Sequence, residues 1–212
     1  MDLLQEMSEA LQSGNCEKVI ALARQAVGTK VLPRDVLDNG LIAGMNVIGD
    51  KYKHHEIFLP EVLLAAKAMY AGMDVLRPLF LKDEMPTLGK VVIGTVQGDI
   101  HDIGKNLVAI MLRGAGFEVV DLGKDVPAEK FVEVAVQEKA RVIGMSALLT
   151  TTMPAMKDIV ERLKKRGLDS KIKTIIGGAP VSADYARHIG ADAYGYDSVN
   201  AVEWIKKLTK GS

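Results

Sequence analysis

The chain has 212 residues, of which 48% are hydrophobic, so it is long enough to bury a core and is expected to be globular. Lysine plus arginine and aspartate plus glutamate number 27 each, so charge gives no reason to expect a nucleic acid or an anionic membrane as a partner. The single cysteine, Cys16, excludes an intrachain disulfide and a cysteine-rich metal site built from this chain alone. With no signal-peptide pattern and no long apolar run, we expect a cytoplasmic protein.

Apolar residues recur at helical spacing from the start of the chain to about residue 82, with no strand pattern between them. Asn15 can cap the second of these helices and Gly28 can end it. Proline suits the first turn of a helix, which marks two further starts. The first two predicted helices span residues 3–11 and 19–26. The third begins at Pro33 and the fourth at Pro60. This half therefore predicts a four-helix bundle.

A polar stretch broken by proline and glycine, residues 82–89, predicts a linker between a helical domain (1–85) and a second domain (86–212). In the second domain β-rich runs alternate with segments of helical spacing. The predicted strands are 90–96, 117–121, 142–146, 174–176 and 193–196, and the predicted helices are 104–113, 128–139, 152–166, 182–189 and 200–207. This alternation predicts an α/β fold, a flavodoxin-like (Rossmann-type) five-stranded parallel sheet with helices on both faces.

The loop after the first predicted strand carries Asp99 and His101. A carboxylate two residues before a histidine can accept a hydrogen bond from one ring nitrogen and make the other a stronger metal donor. The alternative is an ordinary surface histidine beside an aspartate that caps the next helix. The other histidines, His54, His55 and His188, lie far away in the sequence, so a metal bound to His101 would take most of its ligands from a cofactor.

Three motifs follow predicted strands in register: Asp99-x-His101-x-x-Gly104, Ser146-x-Leu148 and Gly177-Gly178. Each alone is an ordinary loop or turn. Together, in this order and spacing, they resemble the cobalamin-binding signature of cobalamin-dependent methionine synthase, corrinoid proteins and several mutases.

The resemblance implies that His101 is the lower axial cobalt ligand and Asp99 its hydrogen-bond partner, the two forming the catalytic pair. It also implies that protonation of this pair weakens the cobalt–nitrogen bond. Ser146, Gly177 and Gly178 would line a slot for the cofactor's nucleotide tail. Thr152 stands where methionine synthase has a serine that joins the aspartate–histidine relay. The remaining predicted cofactor contacts in this domain are Asp102, Ile103, Gly104, Leu148 and Thr150.

A helical domain before the cobalamin domain resembles the cap of methionine synthase and of corrinoid subunits. The segment 57–62 is similar to the part of that cap which covers the upper face of the corrin. Phe58 is the first candidate contact there, and Met69 and Met73 are further candidates. The alternative is that the two methionines belong to the core of the bundle.

The resemblance implies a corrinoid subunit that carries a methyl group on the cobalt of cobalamin or a related corrinoid. The donor would be methanol, a methylamine or an aryl methyl ether, brought by a donor-specific methyltransferase. A second methyltransferase would use tetrahydrofolate or a thiol as acceptor, and a reductive activase would restore the cofactor. We expect the chain to depend on these partners and residues 84–89 to act as a hinge.

Three other interpretations stay open at this point. A cobalamin-sensing regulator shares both domains but usually adds a DNA-binding domain. The small subunit of an adenosylcobalamin mutase usually lacks the cap. A flavodoxin-like domain without a corrinoid would require the three motifs to coincide by accident.

Overall fold

The computed structural model describes residues 2–29, 31–80 and 87–210. The chain divides into two compact units, the first made of residues 1–86 and 114–116 and the second of residues 87–113 and 117–212. Most of the predicted linker, residues 82–86, lies outside the described residues, and so does half of the predicted hinge, residues 84–86. Within the described ranges, no helix combines the length and the apolar character needed to cross a bilayer.

The first unit consists of helices. They are α1 (Leu3–Gln12), α2 (Cys16–Gly28), α3 (Pro33–Asp35), a π-helix (Val36–Ile42), α4 (Ala43–Lys53), α5 (Leu59–Leu76) and a short 3-10 helix (Arg77–Leu79). The side chain of Asn15 accepts a hydrogen bond from Lys18 N–H at 3.0 Å, which confirms the predicted cap of α2. The third predicted helix exists and begins at Pro33, but after the short α3 it continues as the π-helix, which periodicity did not predict.

The core of this unit lies between α1, α2, α4, α5 and the π-helix, where apolar faces meet. Its largest fully buried side chains are Met7, Leu11, Leu41, Met69 and Leu76. Gly72 in α5 lets the helices come close, because a Cβ there would lie 2.8 Å from Leu41 and 2.9 Å from Val19. Burial of these faces drives the bundle, since apolar area removed from water contributes about 25 cal/mol per Å².

The second unit is a five-stranded, fully parallel sheet in the order β2-β1-β3-β4-β5, which confirms the predicted fold class. Its strands are β1 (Lys90–Thr95), β2 (Glu118–Asp121), β3 (Val142–Ser146), β4 (Lys173–Gly177) and β5 (Ala193–Gly195). Its helices are α6 (Ile103–Gly114), α7 (Ala128–Gln137), α8 (Pro154–Lys165), α9 (Ala183–Ile189) and α10 (Ser198–Lys210). One helical layer packs on the sheet through a cluster that includes Phe131, Ile143, Met156 and Ile176.

The register brings the carboxyl ends of the strands level with one another. Thr95 at the end of β1 pairs with Ser146 at the end of β3, and Ser146 pairs with Gly177 at the end of β4. Gly177 in turn pairs with Gly195 at the end of β5. The loops that follow these strands therefore begin side by side at one edge, which is where ligands bind in open α/β sheets.

Candidate functional site

Asp99, in the loop after β1, is completely buried and is surrounded by hydrogen-bond donors. Its Oδ1 atom accepts from the ring Nδ1 of His101 at 2.8 Å and from the His101 backbone N–H at 3.0 Å. Its Oδ2 atom accepts from the N–H groups of Leu148 at 2.6 Å and Leu149 at 3.3 Å, and from the Thr152 hydroxyl at 2.9 Å. This one carboxylate thus joins the loop after β1 to the loop after β3.

The surroundings of Asp99 determine its charge. Burial would by itself raise the pKa of the carboxyl group. The hydrogen bonds from His101, Leu148 and Thr152 outweigh that effect and hold the pKa of Asp99 well below its ordinary value. Asp99 is therefore ionised at neutral pH. None of the donors to its carboxylate belongs to α6, so Asp99 does not cap that helix.

His101 is held in the orientation that a metal ligand requires. Because the ionised Asp99 can only accept, the ring Nδ1 carries a proton, and in the neutral ring this leaves the lone pair on the Nε2 atom. The ring side chain is 48% exposed, so Nε2 is accessible to a ligand. A carboxylate on the opposite nitrogen also makes such a histidine a stronger metal donor.

Thr95 holds the main chain of His101, a contact that the sequence analysis missed. Its side chain is completely buried at the end of β1, and its hydroxyl donates to the carbonyl oxygen of His101 at 2.9 Å. Together with Asp99, Thr95 therefore fixes both the backbone and the ring of His101. A threonine at the end of a strand was the available signal, but it is too common to single out a functional residue.

Exposed apolar side chains cluster in the loops at the carboxyl edge of the sheet. The predicted contacts Ile103, which is 78% exposed, and Leu148 are among them. Three further members were not predicted: Ile100, Leu149 and Tyr196. An exposed apolar patch rimmed by polar groups is typical of a surface that binds a ligand or a partner.

The predicted glycines fall into two groups. A Cβ at Gly104, in the first turn of α6, would meet nothing within 4 Å, so this position faces open space. At Gly177 a Cβ would lie 2.9 Å from the Gly195 carbonyl oxygen, and at Gly178, where φ is +128°, it would overlap the carbonyl oxygen of Ala147. The glycine pair thus permits close approach of protein backbones, and its assignment to a nucleotide slot stays a prediction.

The other predicted contacts of this unit lie at the end of β3 and in the loops after β1 and β3. Ser146 is the last residue of β3 and half-buried, and Thr150 is exposed in the following turn. Asp102 is half-buried, and its carbonyl oxygen accepts from Asn106 N–H at 2.8 Å at the start of α6. Thr152 lies in the turn before α8, which begins at Pro154 and not at residue 152 as predicted. The methyl group of Thr152 lies beside Gly98, where a Cβ would be 3.4 Å from it.

The predicted cap contacts differ in their exposure. Phe58, immediately before α5, is 69% exposed, and its N–H donates to Glu61 Oε2 at 3.1 Å. Met69 is only 1% exposed, and Met73 is half-buried. The prediction of Met69 as a cofactor contact is therefore corrected, because its side chain packs in the core of the helical unit. Phe58 stays a candidate.

Comparison with known families identifies both units. The B12 binding domain matches residues 89–203, and a second family with the same description matches residues 3–77. The chain belongs to the B12-binding corrinoid proteins. Its cofactor is a corrinoid, which confirms the prediction from the three sequence motifs.

Similar proteins match this corrinoid protein over nearly its whole length. Dimethylamine corrinoid protein 1 of Methanosarcina mazei is 45% identical, covering 99% of this chain and 97% of the relative. Trimethylamine corrinoid protein 1 of Methanosarcina acetivorans is 42% identical, covering 98% and 97%. A crystal structure of the methanol:cobalamin methyltransferase complex from Methanosarcina barkeri matches with a TM-score of 0.90 at 34% identity, covering 99% of this chain and 80% of that one.

The residues at the carboxyl edge of the sheet fit a corrinoid. The accessible Nε2 atom of His101 offers one axial ligand, the open space at Gly104 leaves room, and the apolar patch suits a large macrocycle. Among the described residues, no group of three or more histidine, cysteine, aspartate or glutamate side chains could hold a metal ion.

Proposed function

We propose that this corrinoid protein carries a methyl group between two methyltransferases and that its donor is a methylamine. The support is the near full-length similarity to dimethylamine and trimethylamine corrinoid proteins. Of the three donor classes expected from the sequence, this favours methylamines over methanol and aryl methyl ethers. It also favours a carrier over a regulator or a mutase subunit. When bound, the cobalt supplies the centre that accepts and releases the methyl group.

The observation that carries the proposal is the Asp99–His101 pair. The Asp99 carboxylate accepts a hydrogen bond from the ring Nδ1 of His101 at 2.8 Å, so the Nε2 atom would be the one that holds cobalt. Thr152, through its hydroxyl, and Leu148, through its N–H, hold the carboxylate in place. This chain would thus supply one nitrogen donor, the Nε2 atom of His101, with a fixed orientation and strength.

The proposal requires partners. The methanol:cobalamin methyltransferase complex supports a donor-specific methyltransferase as the first of them. A second methyltransferase with tetrahydrofolate or a thiol as acceptor, and a reductive activase, complete the proposed system. The expected hinge would lie before Thr87, because the Thr87 side chain accepts from the N–H groups of Gly89 at 3.1 Å and Glu118 at 3.2 Å, both in the second unit.

Electron paramagnetic resonance of the protein loaded with Co(II) cobinamide, a corrinoid that lacks the nucleotide base and so brings no axial nitrogen of its own, tests the ligand. Nuclear coupling to one axial nitrogen splits the cobalt signal, so we expect this splitting in the wild type and its loss in His101→Ala. His188→Ala is the matched control, since His188 is exposed on α9, away from the loops described above. Splitting that survives in His101→Ala, or failure of the wild type to retain any corrinoid, would contradict the proposal.

The donor is tested by adding the loaded, reduced protein to methyltransferases specific for different donors. We expect rapid methylation with dimethylamine or trimethylamine and its methyltransferase, and slow methylation with methanol and its methyltransferase. Equal rates would show that the methylamine assignment is wrong while leaving the carrier role intact.

A further inference from the structure

The turn after β2 holds the main chain on both sides of Asp99. The Asp125 carboxylate accepts a hydrogen bond from Gly98 N–H at 2.7 Å. The Asp125 N–H donates to the Asp99 carbonyl oxygen at 3.0 Å. Next to it, Val126 N–H donates to the Thr95 carbonyl oxygen at 3.0 Å. A third loop therefore contributes to the site, in addition to the loops after β1 and β3.

The backbone of Asp125 is in a conformation that side chains rarely adopt. Its φ is +55°, in the left-handed region, where aspartate and asparagine are tolerated better than most residues. Its partner Gly98 is also left-handed, with φ at +84°. Such conformations persist where the surrounding contacts require them, and they are concentrated at functional sites. The hydrogen bond from Gly98 N–H to the Asp125 carboxylate therefore joins two residues in the left-handed region.

The position of this backbone sets the geometry of the axial ligand. The Asp99 carboxylate has to reach His101 on one side and Leu148 on the other, with distances of 2.8 and 2.6 Å. A small displacement of the Asp99 main chain would lengthen one of these contacts at the expense of the other. Asp125 forms hydrogen bonds with the main chain of Gly98 and of Asp99 itself. It therefore restrains the main chain at the positions where such a displacement would begin.

We propose that Asp125 is a positioning residue for the axial ligand, fixing the main chain around Asp99 so that His101 binds cobalt strongly. The inference rests on the proposed ligation by His101. It assigns a role to a side chain that does not touch the ligand residue and lies outside the three motifs. The competing explanation is that Asp125 only stabilises its own turn.

Three variants separate the hydrogen bond from the backbone conformation. Asp125→Asn keeps both an acceptor oxygen and tolerance of the left-handed region. Asp125→Gly keeps the conformation but removes the acceptor, and Asp125→Ala removes both. Lys139→Gly is the matched control, since Lys139 is an exposed residue with φ of +54° after α7 and takes no part in the site.

The measurement is competition between His101 and free imidazole for Co(II) cobinamide, a corrinoid without a nucleotide base, in the loaded protein. Imidazole labelled with the heavy nitrogen isotope gives a different splitting of the cobalt signal, so the fraction of cobalt bound by each ligand is read directly. We expect the imidazole concentration for half displacement to fall about tenfold in Asp125→Gly and at least as far in Asp125→Ala, as for loss of one hydrogen bond. Asp125→Asn and Lys139→Gly should resemble the wild type.

Amide hydrogen exchange in the protein without cofactor gives an independent readout. We expect faster exchange at Gly98 in Asp125→Gly than in Asp125→Asn, with unchanged exchange in the strands. Wild-type competition curves for Asp125→Gly and Asp125→Ala would overturn the inference, and so would an Asp125→Asn variant as weak as Asp125→Gly. If the wild type shows no axial histidine nitrogen, the proposed ligation fails first and this inference fails with it.

Discussion

Replacing Asp99 by asparagine changes one oxygen into an NH₂ group and leaves the volume of the side chain the same. All hydrogen-bond partners of the carboxylate are donors, and at least one backbone N–H faces each oxygen. In one orientation of the amide, its NH₂ group faces His101 N–H. In the other, it faces Leu148 N–H. Asparagine therefore cannot satisfy the site in either orientation.

The cost follows from these contacts. A buried donor left without an acceptor costs about 1–3 kcal/mol, and bonds to a charged acceptor are worth more than those to a neutral amide. With one N–H orphaned and the other bonds weakened, Asp99→Asn should lower the free energy of unfolding by about 2–4 kcal/mol at neutral pH. Because the folded pKa of Asp99 is depressed, this difference is complete above the unfolded carboxyl pKa of about 4. It shrinks as the pH falls further through the folded pKa.

The same substitution acts on ligation by a second route. If the amide NH₂ faces the ring of His101, the Nδ1 atom has to accept a hydrogen bond and the ring proton moves to Nε2. An Nε2 atom that carries a proton has no lone pair for cobalt. The axial nitrogen signal should therefore weaken even in the folded fraction of the variant.

Urea unfolding of the cofactor-free protein, followed by circular dichroism at neutral and acid pH, measures the stability difference. Asp184→Asn is the control, since the Asp184 side chain is 85% exposed and the change should cost less than about 0.5 kcal/mol. The reasoning is refuted if Asp99→Asn unfolds within about 0.5 kcal/mol of the wild type at neutral pH. An unchanged axial nitrogen signal would refute the tautomer argument alone.

Three further substitutions test separate parts of the second unit. In Gly104→Ala the new methyl group would face open space on a helix, so the free energy of unfolding in urea should stay unchanged or rise by up to about 1 kcal/mol. Corrinoid retention, measured by absorbance, should fall. Gly178→Ala would overlap the Ala147 carbonyl oxygen in a left-handed conformation and should cost about 3 kcal/mol or more; a smaller loss would show that the loop relaxes. Lys105→Ala leaves the partly exposed Asp121 without its buried partner at 2.6 Å and should cost about 2–3 kcal/mol, with Lys105→Met closer to the wild type.

The fold was largely predictable because hydrophobic periodicity changes once along the chain. Alternation of β-rich and helical segments predicted all five strands, although β1, β2, β4 and β5 each differ from their predicted bounds by one residue at one or both ends. The π-helix Val36–Ile42 was not predicted, because its hydrogen-bond pattern depends on how the helix packs against its neighbours. Burial of Met69 likewise depends on which face of α5 meets the other helices.

The site was predictable only where side-chain identity carries the chemistry. Asp99, His101 and the hydroxyl of Thr152 were expected to interact, and the structure brings them together. The N–H groups of Leu148 and Leu149 were not expected, because every residue but proline offers the same donor. Asp125 was missed for a related reason: its partners are backbone groups in another loop.

The dominance of backbone donors changes how this site can be tuned. Three of the five hydrogen bonds to the Asp99 carboxylate come from main-chain N–H groups, which no substitution other than one to proline removes directly. The strength of His101 as a ligand therefore depends on the paths of the loops after β1, β2 and β3. Because the parallel register places the ends of these strands at one edge, a change in one loop alters the others through Asp99. Substitutions in the turn after β2 should thus shift ligation without touching the cofactor.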